Sequence, residues 1–197
     1  MRRYCDRIRI AVRTDEYSLK QSLRLVCERD IMHGLLVFES LWGNTEQIAR
    51  EIAAGVGAEV DVIEAASAPD RLAPDIDLLI VGGPTHAFSM STAATRDSAR
   101  QQGAPAIPAR GIREWIEALQ SPDRAVPVAT FDTRVTTPRL PGSAAKKAMK
   151  RLVALGYRPA IKPETFRVHG YGGPIADGEL ERARRWGEEL AALVPFG

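Results

Sequence analysis

The sequence predicts a doubly wound α/β domain built on a five-stranded parallel sheet. Three observations carry that prediction. Short apolar runs recur along the chain and alternate with segments of helical apolar spacing. The first run, 35–39, lacks the strict polar alternation of a half-solvated strand, as expected of a strand covered on both faces. The first run also passes through a short turn directly into a helix, an arrangement that makes a ligand site at the carboxyl end of a parallel sheet.

In chain order, residues 35–39 form the first buried strand. Residues 44–56 follow as a helix, with Ile48, Ala49, Ile52, Ala53 and Val56 on one face and Gly57 as its stop. Residues 59–64 give a second strand, and 65–74 a short helix or loop. The run 76–81 is the most hydrophobic in the chain and is ended by Gly82, Gly83 and Pro84. A long connection, 85–110, contains one short helix near 95–102, and its length marks it as a candidate lid or partner surface. Ile112, Trp115, Ile116 and Leu119 mark a helix, residues 125–131 a fourth strand, and 143–155 a helix exposing Lys146, Lys147, Lys150 and Arg151. Residues 160–168 are expected as the fifth strand. Leu180, Ala183, Trp186, Leu190 and Val194 form the apolar stripe of a last helix. Right-handed crossovers leave few topologies, and the order 2-1-3-4-5 suits this size.

Composition narrows the function. The chain has 197 residues, with 27 Lys and Arg against 25 Asp and Glu. Residues 1–31 hold eight basic and five acidic side chains, so the rest of the chain is close to neutral and nucleic acid is not an expected partner. Cys5 and Cys27 offer no disulfide framework or zinc spacing. No apolar stretch reaches the ~20 residues of a membrane span, and a secretory signal is not evident. A reduced, cytoplasmic protein is expected. Residues 1–31 differ in texture from the rest, with a candidate strand at 8–12 and helix at 19–28. They are read either as a weakly ordered extension or as sequence preceding a true start at Met32. The domain proper is 32–197.

Chemistry concentrates in the first turn, Ser40-Leu41-Trp42-Gly43-Asn44-Thr45. Its backbone N–H groups and the dipole of the helix it opens make an anion site. Ser40, Asn44 and Thr45 offer neutral side-chain hydrogen bonds, and Gly43 permits close backbone approach. With no Lys or Arg in the turn, this is neither a Walker loop nor GxGxxG. The bland alternative is an ordinary N-cap that binds nothing.

The stretch SLWGNTE resembles the phosphate loop of the flavodoxin family, Ser/Thr-x-x-Gly-Asn-Thr-Glu, and especially the flavodoxin-type domains of multidomain flavoproteins and quinone reductases. The resemblance spans residues 32–194. It implies a flavodoxin-like fold and a flavin mononucleotide (FMN) cofactor, with its 5′-phosphate on residues 40–45. It also implies a second loop at Pro84, Thr85, His86 and Phe88, where His86 or Phe88 supplies a stacking ring. A third lies at Phe131, Asp132, Thr133 and Arg134, where the chain departs from the family's Gly/Ser-rich, often Tyr-bearing pattern. Arg134 is placed either at the pyrimidine edge of the flavin or in a pair with Asp132.

His169-Gly170-Tyr171-Gly172-Gly173-Pro174 is read as a turn, and the basic face of 146–151 as a solvated helix face or a dock for an acidic redox partner. No catalytic acid, base or metal ligand is named. Two functions follow. The first is an FMN-binding redox protein, an electron carrier or quinone-reductase-like oxidoreductase, whose partner is a redox protein or a small-molecule electron donor or acceptor. The second is a flavodoxin-fold interaction or regulatory module that has lost tight flavin binding. A homodimer is left open.

Overall fold

The computed structural model describes residues 32–57, 59–137 and 141–194. The fold described below is the compact unit 33–195, and the expectations for residues 1–31 lie outside the described residues.

Strands β1 (His33–Phe38), β2 (Glu59–Glu64), β3 (Leu78–Pro84), β4 (Pro127–Val135), β5 (Arg158–Pro159) and β6 (Glu164–Val168) form one sheet. Its order is β2-β1-β3-β4-β5, with β6 also on β4, and every ladder is parallel. This is the expected doubly wound sheet with its order reversing between β1 and β3. Five helices connect the strands: α1 (Asn44–Val56), α2 (Ala93–Gln101), α3 (Ile112–Ala118), α4 (Ala144–Ala154) and α5 (Glu179–Leu193). Among the described residues no helix is long and apolar enough to cross a membrane.

Alternating strand residues supply the two sides of the core. On one side Leu35, Val37, Leu79, Val81 and Val128 pack with Ile112, Trp115 and Ile116 of α3 and with Ala148 and Leu152 of α4. On the other, Phe131, Phe166 and Trp186 meet edge-on, with ring centroids 6.1–6.4 Å apart. The Arg182 guanidinium lies 4.4 Å from the Phe166 centroid and caps this cluster.

Four sequence expectations need correction. The fifth strand is not continuous over 160–168. Pro159 and Pro163 bracket its start and donate no ladder hydrogen bond, so the edge breaks into β5 and β6. The fourth strand does not stop at Phe131 but runs to Val135, because β3 and β6 flank it to the end, pairing Thr133 with Pro84 and Val135 with Val168. Leu180 is exposed and lies outside the buried stripe of α5, which consists of Ala183, Trp186, Gly187 and Leu190.

β3 likewise continues through Gly82 and Gly83 rather than ending before them. A Cβ on Gly82 would stand 1.9 Å from the Phe131 ring, so this position is a glycine because the aromatic cluster fills the space.

Candidate functional site

A cavity of about 510 Å³ opens at the carboxyl ends of β1, β3 and β4. That is the topological switch point of the sheet, and the volume is within the usual ligand range.

Its floor is the turn between β1 and α1. Leu41 is buried and its carbonyl accepts from Ala106 N at 3.2 Å, which anchors the turn to the segment beyond α2. Gly43 is the N-cap of α1 at φ 83°, a left-handed conformation that disfavours any Cβ, and no side chain caps the helix. Among the described residues, the backbone N–H groups from Leu41 to Glu46 make no hydrogen bond. Ser40 lines the cavity, and its buried Oγ has no partner. A buried hydroxyl without a partner is costly, and here it stands beside a row of unbonded amides and a helix N-terminus. These groups are donors without partners, and the one carboxylate of the stretch, Glu46, is paired with Arg50. Asn44 and Thr45 are already engaged. Asn44 Nδ2 donates to Tyr171 O at 3.2 Å, and the Thr45 and Thr133 hydroxyls share a hydrogen bond of 2.8 Å.

The loop after β3 brings Pro84, Thr85, His86 and Ala87 to the cavity. His86 and Ser89 exchange two backbone hydrogen bonds of 2.8 and 2.9 Å around a tight turn. Its central residues, Ala87 and Phe88, both have positive φ (43° and 68°). At the tip of that turn Phe88 is 45% exposed and is not among the residues that line the cavity. The His86 ring stacks on Trp42. Burial, reinforced by the Arg96 charge, holds the His86 pKa below its ordinary value.

Of the third group, Thr133 and Arg134 line the cavity, together with Val135 and Thr137. Phe131 and Asp132 do not. Phe131 points into the aromatic cluster beneath Gly82. Asp132 is fully buried, and its oxygens accept from Thr85 Oγ1 (3.0 Å), Ser143 Oγ (2.6 Å), Ala145 N (3.0 Å) and Thr165 Oγ1 (2.8 Å). It is a structural tie between β4, β6, the β3 loop and the start of α4, not a ligand contact.

Two parts of the site escaped the sequence reading. The loop after β6, read as a simple turn, contributes Gly170 and Tyr171, and Tyr171 stacks on Trp42 at 5.9 Å. A Gly-flanked Tyr at the carboxyl end of a sheet strand was the available signal. Helix α2 and its C-cap contribute Thr95, Ser98, Ala99 and Gln102; the length of the 85–110 connection marked this segment, but no individual side chain in it was singled out.

Helix α2 is a fixed wall. Arg96 is buried and reaches Glu114 at 3.0 Å, Ser91 Oγ at 3.0 Å and Glu39 at 3.9 Å. Glu39, also buried, accepts from Ser91 Oγ (2.5 Å) and Ile112 N (3.0 Å). Its burial raises its pKa against the opposing pull of these donors and of Arg96.

The fold agrees with solved structures. A flavodoxin from the domain Archaea superposes with a TM-score of 0.57 at 17% identity, covering 83% of this chain and 99% of that one. Oxidised Flavodoxin 1 from Bacillus cereus gives 0.59 at 17%, covering 81% and 97%. Flavodoxin 2 from the same organism gives 0.57 at 20%, covering 82% and 98%. The chain has a flavodoxin-like fold. At these identities the likeness is one of architecture. No family model matches the chain, and no curated protein matches it. At the switch point of this fold the chain places the uncapped α1 N-terminus and the stacked Trp42, His86 and Tyr171.

Proposed function

We propose that this domain binds FMN and works as a redox protein, either an electron carrier or a quinone-reductase-like enzyme. The observation that carries the reading is the buried, unpartnered Ser40 hydroxyl beside the uncapped N-terminus of α1. The structural neighbours are flavodoxins, which supports the same reading.

In this reading the amides of residues 41–46 and Ser40 hold the phosphate, without a basic side chain in the turn. Trp42, His86 and Tyr171 give the cavity an aromatic border that excludes water from an aromatic ring system. Neutral His86 suits that role, because a charged imidazolium at the cavity wall would hold water. Arg134 brings a positive charge to the wall formed by β4, which favours a reduced and more negative ligand. A bound flavin supplies the electron transfer; the protein positions it and sets its surroundings.

The test is thermal denaturation with excess FMN and, separately, excess riboflavin. A ligand held at 100 times its dissociation constant adds about 2.7 kcal/mol of stability. FMN should raise Tm and yield a yellow protein after desalting, and riboflavin, lacking the phosphate, should raise Tm less. No gain with FMN would overturn the reading in favour of a flavodoxin-fold interaction module. One observation favours that second reading: the Asn44 and Thr45 side chains are bonded to neighbouring loops rather than turned to the cavity as free donors.

A further inference from the structure

Charge is segregated along this chain. Residues 133–163 hold eight Lys and Arg and no Asp or Glu. Residues 32–132 and 164–197 together hold eleven basic and twenty acidic side chains. The domain is therefore close to neutral in sum, with its basic charge gathered along one stretch of chain, and a local concentration of one sign steers a partner of the opposite sign. The basic segment includes the end of β4, all of α4 and β5. On α4, Lys146, Lys147 and Lys150 are exposed and enter no ion pair among the described residues, while Arg151 pairs with Glu117 at 2.6 Å.

A second feature stands next to this face. The Phe88 ring is 45% exposed at the tip of a turn whose two central residues are non-glycine and left-handed. Such strain persists only where the surroundings hold it. Here they do. Arg113 donates to Ser91 O (2.8 Å), Met90 O (2.7 Å) and Ser89 Oγ (3.0 Å), fixing the chain that follows the turn. Gly142 fits directly under Phe88: a Cβ there would stand 2.3 Å from the Phe88 carbonyl oxygen. Ala144 N, at the first position of α4, donates to Thr85 Oγ1 at 3.0 Å and ties the helix to the same loop. The display of Phe88 and the start of the lysine-bearing helix are thus one rigid assembly beside the cavity that His86 and Ala87 line.

We propose that Phe88 with Lys146, Lys147 and Lys150 forms the docking face for an acidic electron-transfer protein. An exposed aromatic ring supplies a centre that loses water on contact, and the lysines supply a charged rim that selects an acidic surface. The partner's redox role rests on the flavin reading above; the surface itself does not.

The test uses the full chain, isotopically labelled, titrated with an acidic plant-type [2Fe–2S] ferredoxin, in flavin-free and FMN-supplemented samples. Saturable binding is expected at low ionic strength, with amide signals perturbed around Phe88, Gly142 and Lys146–Lys150. Binding should weaken about tenfold or more in the Lys146→Glu/Lys147→Glu/Lys150→Glu variant, and likewise on raising salt beyond a short screening length. Phe88→Ala should weaken it while leaving the salt dependence in place. Circular dichroism of each variant checks that it is folded. Absent binding, or perturbations confined to other surfaces, overturns the proposal. So does tighter binding of poly(U) than of the ferredoxin at the same ionic strength, which assigns the face to nucleic acid. FMN binding without ferredoxin binding removes the docking face and leaves the flavin reading. Ferredoxin binding without FMN binding does the reverse.

Discussion

Trp42 and His86 lie face to face, with ring centroids 6.3 Å apart and planes 9° from parallel. Tyr171 stacks on the same indole at 5.9 Å and 25°. The three rings come from loops after β1, β3 and β6, so one contact couples three parts of the cavity rim. Because a protonated imidazole quenches indole emission, this contact is measurable. Burial and Arg96 depress the His86 pKa below its ordinary 6.5, so Trp42 emission should stay constant through neutral pH and fall only below that value. The same shift means the unfolded chain takes up a proton first as pH drops through 6.5, so His86 lowers stability on the acid side and not on the alkaline side. Steady-state fluorescence against pH checks this, with Trp42→Phe removing the titrating signal and leaving the emission of buried Trp115 and Trp186. A titration centred above 6.5 would contradict it.

Ser40→Ala separates ligand binding from stability. The Ser40 hydroxyl is buried without a partner, so its loss should leave the Tm of the ligand-free protein unchanged or slightly raised. FMN affinity should fall about tenfold, the worth of one hydrogen bond to a charged acceptor, roughly 1.5 kcal/mol. Isothermal calorimetry with FMN and with riboflavin checks the assignment, since only the phosphate-bearing ligand should respond.

Glu39 and Arg96 predict a pH signature. The folded-state pKa of Glu39 is raised above its ordinary 4.5 by burial, so the folded state holds that proton more tightly than the unfolded chain. Its contribution to stability is therefore full below 4.5 and declines as pH rises through the folded value. Glu114 and Glu179, both lowered by their Arg partners, act in the opposite direction and lose stability as pH falls below 4.5. The stability of Glu39→Gln relative to the parent should rise as pH increases above 4.5, whatever its offset at lower pH, by urea denaturation at a series of pH values. Arg96→Ala leaves buried Glu39 without its counter-charge and should cost about 3–5 kcal/mol. A Glu39→Gln difference that is flat with pH would refute the assignment.

Gly82 and Asp132 are structural positions within the strands that frame the site. Gly82→Ala forces a methyl group into the Phe131 ring and should destabilise by roughly 3 kcal/mol or more, above the usual overpacking range, because the ring is confined by Phe166 and Trp186. Asp132→Asn presents an NH₂ to an oxygen site filled by four donors and should cost roughly 2–4 kcal/mol. Both effects should appear in denaturation without ligand, in contrast to Ser40→Ala. Equal loss of stability in Ser40→Ala and Asp132→Asn would remove the distinction between a ligand position and a structural one.

The alternation of strand and helix, the sheet order and the place of the turn between β1 and α1 were legible from the sequence alone. These features rest on local patterns: apolar runs, helical spacing at Ile48, Ala49 and Ile52, and Gly43 ahead of the helix. The roles of residues at the ends of β3 and β4 were not legible, because the face a strand residue presents depends on its register with distant neighbours. Phe131 and Asp132 sit within a strand that β3 and β6 prolong, and there they turn to the aromatic cluster and to the start of α4. Phe88, at the tip of its turn, is not among the residues that line the cavity, while Tyr171 joins it because Asn44, 127 residues away in sequence, holds its carbonyl. The local pattern thus set the place of the turn proposed to hold a phosphate, and tertiary packing decided which rings and which buried charges surround it.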